Sequence, residues 1–483
     1  SLRKANHNHH QPYHLTRQSE QPKDDEMTAT RNPRRKRHKL ISTAASVVLV
    51  SHRMIHVPRA MALCSSSAVR SAATSASATG ARRMIRVVSM PEEQWRQKAA
   101  EHSARVRNLL APGLTDIDHP MNSGIRRQPG RDSGTSSADY FTALDPQNPV
   151  YNFLIEYYGL KGVKGPRRLA RWSPDPSLLL FNEEELNASG LRVEEKEILH
   201  RHDANDSPIL DSGIFLEGAT EEDFGGTLHL KGAIPLEDGS GTIFSPSLFY
   251  NRFGGDDEGE GDSNSSSSKD KMKSAAPFQW YRAILTNTIN SEPIFHCHGL
   301  HEWAMQYHPP GSDPPPSGKY QSHMPLRVSR EVINEAVERR GISCTHVDAL
   351  RFFAKAAAPL NHHGSQLERT DQLRLEQKGC VHAHMDLLKL SIRLQPFVDA
   401  SLVADTLEIS LRARRLDVEA SPYDVRPFGF GVVPVELPEG REEYRRRQKE
   451  LMQAATPIRE RLLTAYEAFL DLAFDDATLI GAE

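Results

Sequence analysis

The class of fold follows from one segment, "CVHAHMDLLKLSIRLQPFVDASLVADTLEISLRARR", which spans residues 380–415. Its apolar residues recur every three to four positions, which is the period of a helix that buries one face. We therefore predict helices over 380–395 and 400–415. Similar patterns predict the helices 278–290, 299–307, 329–340, 346–357 and 440–473.

A smaller β element is predicted before these helices. Residues 215–250 contain short apolar runs separated by glycines, which is typical of short strands joined by turns. The segment "FGFGVVPVEL", residues 428–437, is predicted as a further strand. The expected fold is mainly α (α+β), with a single helix-rich domain over residues 138–475. Within it, residues 254–276 are acidic and serine-rich, which predicts a disordered insertion.

The N-terminal part of the chain differs in composition from the rest. Residues 1–90 contain 16 Lys and Arg against 4 Asp and Glu, although the whole chain has a net charge of −3. Residues 27–90 lack acidic residues and are rich in Ser and Ala, which is typical of an organelle transit peptide. We expect a long disordered leader over 1–90 that targets an organelle, with a plastid favoured over a mitochondrion; a disordered basic tail is the alternative. Residues 91–137 are predicted to form a short helix and a tether.

Charge and hydropathy narrow the classes of function. No run of 18 or more apolar residues occurs, so no membrane-spanning helix is predicted. After residue 90 the chain is acidic, which argues against broad affinity for nucleic acid, because that affinity depends on Lys and Arg that neutralise phosphates. The four cysteines lack the spacing of a small disulfide framework, and we expect them to be reduced.

The segment "FHCHGLHEWAMQYH", residues 295–308, is rich in side chains that titrate or bind metals. It contains the first of three similar units, in each of which a cysteine is followed by a histidine and a carboxylate. The units are Cys297–His301–Glu302, Cys344–His346–Asp348 and Cys380–His382–Asp386. We interpret them as parts of one functional centre that the fold brings together, with the histidines and carboxylates as catalytic candidates.

These side chains are also candidate metal ligands. Zn²⁺ binds Cys and His, whereas non-haem iron prefers His with carboxylates. If a metal is bound, its candidate ligands are His301, His346, His382, Cys297, Cys344 and Cys380. The spacing within the chain does not select between Zn and Fe, and it leaves the cofactor open.

His382, Asp386 and Lys389 share one face of a predicted helix, which places His382 and Asp386 to act as an acid–base pair.

Structural roles are the alternative for several of these residues. Thr345 and Asp348 also have the spacing of a capping box, so Asp348 has helix capping as its alternative role. Buried cysteines commonly act as small apolar residues.

Residues near the three units are candidates for substrate binding. Trp303, Phe352 and Tyr423 offer aromatic faces, and Lys389 and Arg415 offer positive charge. The alternative is that the first two aromatic residues belong to the core. A basic residue such as Arg415 is also favourable at the end of a helix, without any ligand.

Six motifs carry a resemblance to a known family: "NPVYNFLIEYYGL", "RRLARWSP", "GLHEWAM", "CTHVDALRFF", "GCVHAHMDLLK" and "DVEASPYDV". From about residue 148 to 470, without the insertion, the chain resembles a bacterial and plastid family commonly labelled 3-methyladenine DNA glycosylase. The resemblance implies hydrolysis of the N-glycosidic bond of an alkylated purine that is flipped out of damaged DNA, with no metal. Glu302, Asp348 or Asp386 would then activate water or stabilise the charge that develops on the sugar.

Three functions follow from the sequence. The first, from the resemblance, is a DNA glycosylase-like hydrolase. The second is a metal-dependent enzyme that acts on a small molecule through the His, Cys and carboxylate centre. The third is a non-catalytic helical protein that binds a partner.

Overall fold

The computed structural model describes residues 81–110, 143–200, 212–252, 268–313 and 324–474. All of them belong to one unit of the chain, residues 75–483. Three predicted segments lie outside the described residues: most of the leader (1–80), the tether after residue 110, and residues 254–267 of the insertion.

Helices make up most of the described structure, so the predicted mainly α class is confirmed. The longer ones are α1 (Glu92–Leu110), α6 (Ser268–Asn290), α11 (Val381–Leu394), α12 (Ala400–Glu419) and α13 (Pro438–Ala473). The shorter ones are α2 (Asn152–Tyr157), α3 (Lys164–Leu169), α4 (Glu183–Ala188), α5 (Glu221–Gly225), α7 (Leu300–Gln306), α8 (Arg330–Glu338), α9 (Val347–Leu350) and α10 (Gln372–Leu375). Among the described residues, no helix has the length and apolar character needed to cross a membrane.

Helix α12 lies at the centre of the helical layer. Fifteen of its 20 residues are buried, and it packs against α1, α11 and α13. The helix begins at Asp399, whose carboxylate accepts a hydrogen bond from the backbone N–H of Ser401. Apolar burial stabilises such a helix by roughly 25 cal/mol per Å². Because burial removes a charged side chain from water, a charged residue buried in α12 needs an oppositely charged or hydrogen-bonding partner.

A five-stranded sheet covers one side of the helices. Its strands are β1 (Ala81–Met90), β2 (Arg192–His200), β3 (Ser212–Glu217), β4 (Ile234–Pro235) and β5 (Gly241–Phe244), in the order β2-β1-β3-β5-β4. Strands β1 and β3 are parallel, and the other neighbours are antiparallel. Side chains alternate along each strand. Val88 of β1 therefore joins the main core with the helices, whereas Val87 joins a smaller core on the other face.

The folded domain begins earlier than residue 138. Residues 81–90, which the sequence analysis assigned to the leader, form β1 between β2 and β3. The predicted short helix after residue 90 is the 19-residue α1, which packs against α12. The basic composition of residues 82–86 concealed this strand, because Arg82 and Arg86 are exposed while Ile85, Val87 and Val88 of the same strand are buried.

Two predicted elements are wrong in detail. The helix predicted over 346–357 is helical only at α9, because the backbone N–H of Ala354 donates to the carbonyl of Ala304 in α7 instead of continuing the helix. Residues 428–437 form no strand, because the backbone N–H of Val433 donates to the carbonyl of Glu419 at the end of α12. In addition, residues 268–276 of the predicted insertion are the first turns of α6.

Candidate functional site

The three histidine units meet at one place in the fold. His301 lies at the start of α7, His346 directly before α9, and His382 at the start of α11. The ring centroids of His301 and His382 are 4.3 Å apart. Those of His346 and His382 are 4.7 Å apart, and the two rings are stacked. The predicted convergence of the three units is therefore present.

The position of α7 depends on a close contact between the residue before it and the end of α12. Gly299, the residue before the helix, has a φ of 71°, which favours glycine. A Cβ atom there would lie 3.3 Å from the Cβ of Ala420 and from the ring of Tyr444. The first turn of α7 therefore lies directly against the end of α12, and this contact brings His301 to Asp417.

His301, His382 and Asp417 form the inner group of the centre. One ligand atom from each lies within 4.8 Å of the other two. The Nε2 atom of His301 is 2.7 Å from the Oδ1 atom of Asp417, and both side chains are fully buried. No other hydrogen-bond partner is present for either atom. A protonated His301 forms an ion pair with Asp417 at this distance, and a metal that binds between them would replace that proton.

Arg414 contacts the carboxylate oxygen of Asp417 that does not face His301. Its Nη1 atom donates to the Oδ2 atom of Asp417 and, at 2.8 Å, to the Oε1 atom of Glu302. Its Nε atom donates to the carbonyl of Pro149 at 3.0 Å. Arg414 is itself buried, so a single cation serves two buried carboxylates. This arrangement leaves Oδ1 of Asp417 facing His301, and it leaves Oε2 of Glu302 without a hydrogen-bond partner.

The charge states of the inner group follow from this packing. Burial acts to lower the pKa of His301, but the negative charge of Asp417 outweighs it and holds that pKa well above its ordinary value. Burial acts to raise the pKa of Asp417, but His301 and Arg414 outweigh it and hold that pKa well below its ordinary range. Burial, with the charges of His301 and His346, lowers the pKa of His382 far below its ordinary value. His382 is therefore neutral, as a metal ligand must be.

The cysteines lie behind the histidines and are not members of either group that has the spacing to hold a metal. The Sγ atom of Cys297 is 3.6 Å from the Nδ1 atom of His301. A hydrogen bond from Cys344, followed by the contact with His301, holds the pKa of Cys297 well below its ordinary value. Burial raises the pKa of Cys380 to about 12. The prediction of cysteine ligands is therefore corrected: Cys297 contacts a ligand residue, and Cys344 and Cys380 pack behind it.

His346, Asp348 and Asp386 form an outer group with similar spacing. The ammonium group of Lys389 lies 3.6 Å from Asp348 and 3.9 Å from Asp386. Burial acts to raise the pKa of Asp348, but Lys389 and other cations outweigh it and lower that pKa. The structure also removes the capping alternative, because the residue before α9 is His346 and no side chain caps the helix. The outer group thus already contains the positive charge of Lys389.

A cavity of about 260 Å³ opens onto the outer group and onto His382, whereas His301 and Asp417 do not line it. Its polar wall includes Glu302, His346, Asp348, His382, Asp386, Lys389 and Arg414. Its apolar wall includes Phe153, Met305, Met385, and the rings of Tyr157 and Phe352, whose centroids are 6.0 Å apart. The candidate residues Phe352 and Lys389 therefore face the place where a substrate would bind.

Three other candidates for substrate binding do not line this cavity. Trp303 is fully buried, and its indole N–H donates to the carbonyl of Ala420. Tyr423 is buried, and its hydroxyl accepts a hydrogen bond from Gln306. Arg415 points away and pairs with Glu419 at 2.9 Å. These three calls are corrected, because helix packing turns each side chain into the core or onto another surface.

Sequence reasoning missed Asp417 of the inner group and Arg414, which contacts it. The helix predicted over 400–415 stopped before Asp417, whereas α12 continues to residue 419. A signal was present: Thr406, Ser410, Arg414 and Asp417 recur every three to four residues through an otherwise apolar helix. Such a row places polar side chains along one face, and here the face is buried against α11 and α7.

Comparison with known proteins finds no matching family model, no similar curated protein and no similar solved structure.

Proposed function

We propose that the protein is a metal-dependent enzyme that acts on a small molecule, with His301, His382 and Asp417 as the metal ligands. The observation that carries the proposal is the convergence of the buried His301 and Asp417 with His382, three side chains whose ligand atoms lie within 4.8 Å of one another. Two imidazoles and one carboxylate suit Zn²⁺ and Fe²⁺ and leave positions open for substrate.

The surrounding residues prepare this ligand set. Arg414 takes the second oxygen of Asp417, so that only Oδ1 remains available. Cys297 accepts from the Nδ1–H of His301, which leaves Nε2 as the ligand atom and fixes the orientation of the ring. When bound, the metal would polarise a substrate oxygen and lower the pKa of a water molecule.

The outer group supplies proton transfer and orientation. His346 and Asp386 face the cavity beside His382, where they can accept a proton from an attacking water or return one to a leaving group. Lys389 sits between Asp348 and Asp386 and is positioned to bind an anionic part of the substrate. Tyr157 and Phe352 exclude water from the opposite wall and contact the apolar part of the substrate.

Metal analysis tests the proposal. Full-length protein purified without a histidine tag, and then loaded with Zn²⁺ or with Fe²⁺ under anaerobic conditions, is expected to retain about one equivalent after desalting. Asp417→Asn should retain less than about 0.1 equivalent, because the variant lacks the charged ligand. Asp405→Asn is the matched control, since Asp405 lies on the same helix and pairs with Arg461 at the surface. Wild-type protein that retains no metal under either condition would sink the proposal.

A second candidate function is the glycosylase activity that the family resemblance implies. The observation that favours it is the position of Asp348 and Asp386 in a cavity whose far wall carries Tyr157 and Phe352. Aromatic rings of this kind can stack on a flipped base, and a carboxylate can activate water or stabilise an oxocarbenium-like sugar.

Release of base from alkylated duplex DNA separates the two candidates. The glycosylase candidate requires release that persists in the presence of a chelator and is abolished in Asp386→Asn. Lack of release above a buffer control, on a substrate that a known glycosylase cleaves, counts against it. Release that is lost with the chelator and restored by metal would assign the reaction to the metal centre instead.

A further inference from the structure

A second cavity lies beside the same histidine-rich loop and shares no lining residue with the first. Its volume is about 250 Å³. Its polar lining consists of His296, His298, His362, Ser343, Arg340 and Arg441, and none of the residues that line it is Asp or Glu. A wall of hydrogen-bond donors without a carboxylate is the composition of an anion site.

The two arginines carry charge that the described residues do not neutralise. Within the described ranges, neither Arg340 nor Arg441 forms an ion pair with a carboxylate. Glu436 is the acidic residue whose charge acts on Arg441, but it is paired with Arg327 at 2.6 Å. The Nε atom of Arg441 donates to the carbonyl of Val435 at 2.7 Å, which fixes the side chain and leaves its terminal nitrogens for a ligand.

His298 provides an independent indication of a ligand. Its side chain is only 8 % exposed, it lines the cavity, and its Nδ1 atom has no hydrogen-bond partner. Its φ of 48° lies in the left-handed region, which a histidine adopts only against a steric penalty. A buried polar atom without a partner normally destabilises a protein. A ligand that accepts a hydrogen bond from this ring would remove that penalty.

We propose that this second cavity binds a phosphate group, either as inorganic phosphate or as the phosphoryl group of a small molecule. A tetrahedral dianion accepts the forked N–H groups of two guanidinium ions, here Arg340 and Arg441. Its remaining oxygens accept from neutral donors such as His298 and the hydroxyl of Ser343. The cavity offers these donors from the segment after α8, from α13 and from the loop before α7, so that an anion would link three parts of the chain.

This site is separate from the proposed metal centre, and the inference does not rest on the proposed function. The loop that carries His298 also carries Cys297, which contacts His301 on the other side. A phosphate ion can also bind a metal, so binding in the second cavity must be distinguished from binding at the proposed metal centre.

Isothermal titration of the full chain with inorganic phosphate and with phenyl phosphate tests the proposal. We expect one saturable site in the wild-type protein and at least about tenfold weaker binding in Arg340→Ala and in Arg441→Ala, because each variant loses a charge-assisted contact. Arg412→Ala is the matched control, because Arg412 is an exposed arginine of α12 that is absent from the cavity lining. Arg340 is also exposed, so its removal should leave the fold intact.

The outcomes separate the anion site from the metal centre. Binding that persists in the Asp417→Asn variant and is weakened by Arg340→Ala supports the proposal, whatever the metal content. Tighter binding of phenyl phosphate than of phosphate assigns the site to a phosphomonoester, and equal affinities assign it to the ion. The proposal is overturned if neither ligand binds at millimolar concentration, or if binding is unchanged in Arg340→Ala and Arg441→Ala but lost in Asp417→Asn.

Discussion

The Nε2 atom of His301 lies 2.7 Å from the Oδ1 atom of Asp417, deep between α7 and α12. Cys297 contacts the Nδ1 atom of His301, and Arg414 donates a hydrogen bond to the Oδ2 atom of Asp417. No other hydrogen-bond partner is present for either atom, and His382 lies beside them. A metal that binds here would replace the proton that His301 shares with Asp417.

The first prediction concerns the cysteines. Cobalt-substituted protein should show ligand-field bands but no thiolate-to-cobalt charge-transfer band, because the ligand set contains no sulfur. Cys297→Ala should keep these bands and weaken metal binding roughly 10- to 100-fold, as expected when a ligand loses the group that orients it. Cys380→Ala is the control and should bind normally. A charge-transfer band that disappears in Cys297→Ala would make Cys297 a ligand and contradict the assignment.

The second prediction concerns Arg414. Arg414→Met should lower the free energy of unfolding by about 3–5 kcal/mol, because Glu302 and Asp417 remain buried without their shared cation. Arg412→Ala, two residues away on the exposed face, should change it by no more than about 0.5 kcal/mol. Urea denaturation of metal-free protein measures both values. Equal stabilities of the two variants would show that Arg414 does not neutralise the buried carboxylates.

The third prediction concerns pH. Asp417 outweighs burial and raises the pKa of His301, so metal-free protein carries a proton on His301 at neutral pH. A metal must displace that proton. The apparent affinity should therefore rise with pH, by about tenfold per unit between roughly pH 6 and pH 8, and fall as the solution becomes more acidic. Titration calorimetry in two buffers of different ionisation enthalpy should record release of about one proton. An affinity independent of pH over this range would contradict the protonation of His301.

The fourth prediction concerns the outer group. Lys389 contacts both Asp348 and Asp386, while Arg351 and Arg369 pair with Asp348 alone, so Lys389→Ala should allow His346 and these two carboxylates to bind a cation. We expect the variant to bind one additional equivalent of Zn²⁺, more weakly than the inner group does. The double variant Lys389→Ala, Asp386→Asn should lose this second equivalent and keep the first. If Lys389→Ala binds no additional metal, the outer group lacks the geometry of a cation site.

The helices could be predicted because their apolar spacing is a local property. The bounds of α7, α8 and α11 agree with the prediction to within two residues. By contrast, β1 was missed because it gains its stability from pairing with β2 and β3, which are distant in the chain. The helix predicted over 346–357 failed because a backbone group of α7 captured the N–H of Ala354.

The candidate site shows the same division. His301, His346 and His382 were recognised from their repeated cysteine and carboxylate neighbours, and they do meet. Asp417 was not recognised as a partner, because the row of polar residues that contains it does not show which distant side chain it faces. Trp303 and Tyr423 were assigned to a substrate from their residue type alone, whereas packing buries them.

The amino-acid sequence alone establishes a helix-rich domain and the residue types of a polar centre, because periodicity and composition are read along the chain. Tertiary packing establishes which of these side chains become neighbours. The loop before α7 closes on the end of α12 through Gly299, and Arg414 turns Asp417 towards His301. The cysteines are left behind the histidines, and His298 is left facing a basic cavity. Such placements depend on contacts between distant segments, which spacing within one helix does not encode.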